Sequence, residues 1–117
     1  MKDIIHVEYV YRGVSFRVVD GDTIRIDFDL GLGVWRHNQE VRLLDVHAPE
    51  MTGEGKAEGL AAKVMLLGLL PAGTDVVVQT FRDKNDKYGR YVAQVWRSSD
   101  GLDINEHMRT KAPVGGR

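Results

Sequence analysis

Three stretches of this sequence gather side chains whose types and spacing could do chemistry. Asp20-Gly21-Asp22-Thr23 falls where one apolar run ends and the next begins, and Gly21 permits a sharp turn that sets two carboxylates close together. Carboxylate oxygens are hard ligands suited to calcium or magnesium. A plain hairpin turn, with its aspartates satisfying backbone amides, has the same four residues. The second stretch, Arg42-Leu43-Leu44-Asp45-Val46-His47-Ala48-Pro49-Glu50, reads as a strand running into a proline-bounded loop, with Glu50 just beyond the rigid turn. In a continuous strand Arg42 shares a face with Leu44 and Val46, so its guanidinium needs a partner there, and Glu50 is one candidate. A purely structural arginine–carboxylate pair explains that pattern equally. Residues 82–90 form the third stretch. Their four basic and two acidic side chains read as a basic loop closed by Arg90 at a strand start, or as a solvated hairpin turn.

Positioning these groups takes a β-rich scaffold. Apolar and β-branched runs separated by turn residues predict strands over 4–10, 14–19, 23–28, 40–46, 75–81 and 91–96. Residues 29–38 contain two glycines and read as a long hairpin loop. Trp35 in that loop is either a packed anchor or an exposed binding side chain, and favourable indole burial argues for packing. Between residues 54 and 70 the pattern changes: Ala57, Leu60, Ala61, Val64 and Leu67 or Gly68 recur at helical spacing, until Pro71 and Gly73 stop the helix. A short helix over 104–109, capped by Asp103, comes last, and a tail from 111 to 117 without apolar periodicity is expected to fray.

The chain has 117 residues, 43% hydrophobic and 28% charged, enough for one domain with a single buried core over 1–117. It has no cysteine, which excludes disulfide frameworks and thiolate zinc sites. A net charge of −1 argues against nucleic-acid binding by a uniformly basic coat. That average conceals a division. Residues 1–81 carry 8 basic and 12 acidic side chains, residues 82–117 carry 8 and 5. The amino-terminal segment has charges at Asp3 and Glu8 and lacks the unbroken apolar stretch of a signal peptide or membrane span, so a cytoplasmic protein without membrane contact is expected. A processed secreted form would look the same. Strands around one inserted helix fit a small barrel such as the OB-fold, although composition and periodicity alone do not separate it from other small β-rich barrels.

The order of the motifs is more specific than any one of them. DGDT, then Arg-Leu-Leu-x-x-x-x-Pro-Glu, an amphipathic helix, Asp-Lys-Tyr-Gly-Arg and finally Asp-Gly-x-x-Ile-Asn resembles the staphylococcal nuclease-like (thermonuclease) family over about residues 14 to 110. The resemblance implies an α+β fold, mainly β: a five-stranded OB-fold barrel with one main helix and a short carboxy-terminal helix. It also implies metal-dependent hydrolysis of phosphodiester bonds in DNA or RNA, usually with calcium, leaving 3′-phosphates with little base specificity. By motif position Glu50 corresponds to the general base or water-positioning glutamate, and Arg42 and Arg90 to the two phosphate-holding arginines. Asp22 matches the main metal aspartate with Asp20 beside it, the Ala48 backbone carbonyl a further ligand, and Lys87 and Tyr88 substrate contacts. Those residue types suit the chemistry. A bidentate guanidinium matches the planar array of charged phosphate oxygens, a divalent cation neutralises more of that charge, and a carboxylate accepts the proton of the attacking water.

Two departures from the family pattern temper what the resemblance implies. His47 stands where a second metal aspartate is usual, and imidazole suits transition ions such as Mn2+ better than calcium. Asp45, two residues earlier, could replace the missing charge if the strand continues that far. The chain also stops soon after Met108, without the aromatic residues that commonly surround the base, which leaves Tyr91, Trp35 or a partner to supply stacking. The alternative to a nuclease, expected as a monomer, is therefore a catalytically weakened OB-fold module that binds nucleic acid or protein. The Trp35 loop is the candidate protein interface.

Overall fold

The computed structural model describes residues 7–83 and 91–113. Five strands and two helices follow in the order β1 (Val10–Asp20), β2 (Thr23–Asp29), β3 (Trp35–Leu43), α1 (Lys56–Leu69), β4 (Asp75–Arg82), β5 (Tyr91–Arg97) and α2 (Ile104–Lys111), with a short 3-10 turn at Gly53–Gly55 leading into α1. The strands close into a barrel in the order β1-β2-β3-β5-β4. All neighbours are antiparallel except β3 and β5, which run parallel and pair from Val41↔Tyr91 to Leu43↔Ala93. This is the expected five-stranded OB-type barrel, mainly β with two helices. Among the described residues no helix is long and apolar enough to cross a membrane.

Alternation along the strands turns Ile24, Ile26, Val41, Leu43, Val76, Val78, Ala93 and Val95 inward, all of them buried. Both helices pack against this core. Ala62, Leu66 and Leu70 enter it from α1, and Ile104 and Met108 from α2. Asp103 caps α2 as expected, accepting from the Glu106 amide at 2.9 Å. Asn105, fully buried on α2, has its side-chain oxygen accept from the Val95 amide at 2.8 Å, while its amide donates to the Ala93 and Leu44 carbonyls at 2.9 and 3.1 Å. Every polar group of that side chain is thereby satisfied, which burial requires.

Several sequence expectations shift. Residues 4–6 of the first expected strand lie outside the described residues, 7–9 are not strand, and Val10–Asp20 is one continuous strand where two were expected. The expected strand over 40–46 starts five residues earlier and stops at Leu43, because Asp45 takes a left-handed backbone (φ 58°) that a strand cannot continue through. The hairpin loop shortens accordingly to 30–34, where Gly31, Leu32 and Gly33 all have positive φ. Trp35 opens β3 and is 43% exposed, stacked on His37 with ring centroids 6.1 Å apart, instead of being packed in the core.

Helix α1 is found where expected but presents a different face. Leu60, Val64 and Leu67 are exposed, and the buried residues are Gly59, Ala62 and Leu66. Both sets recur at helical spacing, so periodicity alone does not choose between them. The close approach of neighbouring backbone does, because only small side chains fit the first turns of the contact.

Candidate active site

The β1–β2 turn holds its two carboxylates together by a short-range network. The Asp22 amide donates to Asp20 Oδ1 at 3.2 Å, and the Thr23 hydroxyl donates to Asp22 Oδ1 at 2.9 Å. Gly21 is needed for space and not for an unusual φ. A Cβ there would lie 2.6 Å from Ala62 Cβ on α1 and 2.8 Å from Ala48 Cβ. The turn is thus clamped between helix and loop.

The loop after β3 is brought to this turn by two contacts. The Leu43 amide donates to the Asp22 carbonyl at 2.8 Å, and the Ala48 amide donates to Asp22 Oδ2 at 3.1 Å. From the other side α2 grips the strand exit, where Asn105 and Arg109 both donate to the Leu44 carbonyl at 3.1 Å. Pro49 and Glu50 then lie against the start of α1. An added Cβ on Gly59 would sit 2.5 Å from the Glu50 carbonyl oxygen and 2.8 Å from that of Pro49. Gly59, in the first turn of α1, is a signal that sequence reasoning passed over, since glycine inside a helix costs stability unless a close approach requires it.

Electrostatics follow from this crowding. Burial, reinforced by a hydrogen bond to Asp22 and by the Asp22 charge, pushes Asp20 up from 3.8 to about 6. Burial opposes ionisation of Asp22 as well, but hydrogen bonds from Asp20, the Ala48 amide and Thr23, with the Arg42 charge, outweigh it and hold Asp22 below its usual value. Arg42 lies opposite Thr23 on the outward face of the β2–β3 pair, and its electrostatic partner is Asp22. No hydrogen bond or ion pair joins it to Glu50, because β3 ends at Leu43 and the loop carries Glu50 away to α1.

Raising the folded-state value of Asp20 makes its stabilising effect complete below the unfolded value near 4 and lost as pH rises through 6. In chelator, the protein is therefore expected to lose about 1 kcal/mol of stability between pH 4 and 6, after solvent screening of this half-exposed group. Asp20→Asn should flatten that slope and raise Tm at pH 7, as read by circular dichroism melts.

The donor set suits a hard cation only in part. Asp20 and Asp22 both offer carboxylate oxygen on one tight turn. Among the described residues no three of His, Cys, Asp or Glu converge on one point. His47 is exposed and lines a cavity of about 200 Å3 with Gly21, Asp45, Ala48 and Arg109. The left-handed turn at Asp45 ends the strand alternation, and Asp45 reaches the cavity of His47 through the loop instead. Two carboxylates alone would suit a weakly held, well-hydrated divalent ion. Lys87, Tyr88 and Arg90 lie outside the described residues. Tyr91, the next described residue, pairs with Val41 beside Arg42.

The family profile described as "Staphylococcal nuclease homologue" matches residues 40–111. The chain belongs to the staphylococcal nuclease family. A thermonuclease of Staphylococcus intermedius is 33% identical over 103 residues, which cover 80% of this chain and 55% of the relative. The chain thus spans about half the length of that relative. Within this nuclease-family barrel the family match runs from late β3 through α2, and so includes Arg42, the 47–50 loop and the helix glycine beneath it.

Proposed function

We propose that this chain hydrolyses phosphodiester bonds of DNA or RNA, with Asp20 and Asp22 holding a divalent ion, Arg42 and Arg90 the phosphate, and Glu50 activating water. The observation that supports this reading most is the 3.1 Å hydrogen bond from Ala48 to Asp22, which ties the glutamate-bearing loop to the acidic turn beside Arg42. The two aspartates and the Ala48 carbonyl would hold a divalent cation, which would supply positive charge against the anionic phosphate. Arg42 presents a planar fork to the equatorial phosphate oxygens, whose charge grows as water attacks. Glu50 accepts the water's proton. The bond to the 5′ oxygen breaks, that oxygen takes a proton from solvent, and a 3′-phosphate remains. Lys87 and Tyr88 contact the substrate beside Arg90. Nothing in this set reads base edges, so cleavage has little base preference.

His47 in place of a carboxylate should weaken calcium binding and favour Mn2+. Cleavage of single-stranded and duplex DNA, measured with Ca2+, Mn2+ and chelator, is expected to disappear in chelator. His47→Asp should lower the calcium concentration for half-maximal activity about tenfold, the order expected for one added charged ligand. Equal background cleavage in every metal and in chelator would count against hydrolysis. The lack of a three-ligand cluster among the described residues favours a second reading, a binding module without catalysis. Calorimetric titration that finds metal-independent nucleic-acid binding and no product would select it.

A further inference from the structure

The helices pack their buried side chains into the core, and away from them the strands carry a cleft with a polar and aromatic lining. Beyond Val41, the inward register positions of β3 are Gln39, opposite Ile26, and Arg36, opposite Phe28. The bulge between them, with Asn38 in a left-handed backbone, turns Arg36 to the inside. On β4 the inward row that starts with Val76 and Val78 ends in Thr80 and Arg82, and Arg82 pairs with Tyr91 on β5. Among the described residues β3 pairs with β5 from Val41↔Tyr91 to Leu43↔Ala93.

The result is a cleft of about 770 Å3, lined by Tyr9, Tyr11, Phe28 and Tyr91 with Arg36 and Arg82. Tyr11 and Phe28 meet edge to face, ring centroids 5.5 Å apart, as a fixed floor, while Tyr9 and Tyr91 are 59% and 44% exposed. Among the described residues neither Arg36 nor Arg82 makes an ion pair. The acidic residue at the cleft, Glu40, is held by Arg25 at 3.0 Å. The described lining of the cleft therefore sets two arginines next to several aromatic rings.

That combination matches a polyanion with exposed planar bases. Bases stack on aromatic rings and guanidinium groups while the cations meet phosphates, a mode open to single strands and closed to a duplex, whose bases are already stacked. An acidic peptide would satisfy the arginines but leave the tyrosine rings without planar partners. Arg36 and Arg42 are six residues apart on β3, roughly 20 Å at 3.3 Å per residue, and Tyr91 pairs next to Arg42. A few nucleotides span that distance.

We propose that this cleft is a binding site for single-stranded nucleic acid, holding the nucleotides that flank those at Arg42 and Glu50. The flanking role rests on the nuclease reading above; binding in the cleft does not. The test is fluorescence anisotropy of labelled dT12 in chelator, where no hydrolysis intervenes, over a range of salt. The double variant Arg36→Gln with Arg82→Gln should bind at least tenfold more weakly, with the log–log salt slope reduced by about 1.4, two phosphate contacts at ~0.7 each. Tyr9→Ala, which removes an exposed ring and no charge, should cost at least fivefold. Arg12→Gln with Arg17→Gln changes net charge equally at exposed positions outside the cleft, and should cost less than twofold. Binding of dT12 by the Arg36/Arg82 variant within twofold of wild type overturns the proposal, as does an equal loss in the Arg12/Arg17 control. So does capture of an acidic peptide by the wild-type cleft with no dT12 binding. If the protein cleaves nothing but the Arg36/Arg82 variant loses dT12, the cleft site stands and the nuclease reading falls. If it cleaves and the variant binds normally, the reverse holds.

Discussion

Glu50→Gln is expected to lower kcat for phosphodiester hydrolysis at least 100-fold while changing KM less than about threefold. Glutamine keeps the length and shape of the side chain but cannot take a proton from water, and a positioned general base is worth about 10² to 10⁴ in rate. The exposed side chain leaves the core, so the fold should not change. Single-turnover cleavage of a labelled oligonucleotide under saturating metal separates the chemical step from binding. A variant that retains more than a tenth of the wild-type rate would remove Glu50 from the role of base and leave cleavage, if present, to another group.

The second large effect comes from a residue that touches no substrate. Gly59→Ala would drive a methyl group to 2.5 Å from the Glu50 carbonyl oxygen and 2.8 Å from the Glu50 carbonyl carbon, backbone atoms that cannot swing aside. Helix propensity favours alanine by about 1 kcal/mol, but the displaced loop and helix should outweigh it for a net loss of about 3 kcal/mol. In a domain of this size that lowers Tm by roughly 10 to 20 °C. Activity should fall with it, because the loop that shifts is the one holding Glu50. Gly68 on the same helix provides the contrast. A Cβ there meets nothing within 4 Å, so Gly68→Ala should gain about 0.5–1 kcal/mol. Thermal melts of the two variants compare the clash with the propensity directly. Similar Tm changes in both would mean the loop does not depend on the close approach.

These two variants show how different kinds of residue were legible in the sequence. Asp20, Asp22, Arg42 and Glu50 were singled out as candidates by type and order, since a pair of carboxylates on a turn and an arginine before a proline-bounded loop are recognisable one dimension at a time. The hydrogen bond from Ala48 to Asp22 was not, because it joins residues 26 apart through a main-chain amide, which every residue but proline carries. The same holds for the grip of Asn105 and Arg109 on the Leu44 carbonyl. The suggested Arg42–Glu50 pair failed for a related reason. It assumed a strand through Val46, and a single left-handed residue at Asp45 ended the alternation on which the inference depended.

Pattern by itself located the main helix and the capped carboxy-terminal helix to within a few residues, and the order of the motifs pointed to the five-stranded barrel, while the strand bounds shifted and two expected strands proved to be one. Local hydrogen bonding and side-chain periodicity act over a few residues, and the sequence displays them directly. Tertiary structure decided which stripe of α1 faces inward, why Gly21 and Gly59 must lack side chains, and that Arg36 turns into an aromatic-lined cleft while Trp35 stays on the surface. Each depends on the distance between segments far apart in the chain. In close-packed protein a few tenths of an ångström there decide between contact and clash.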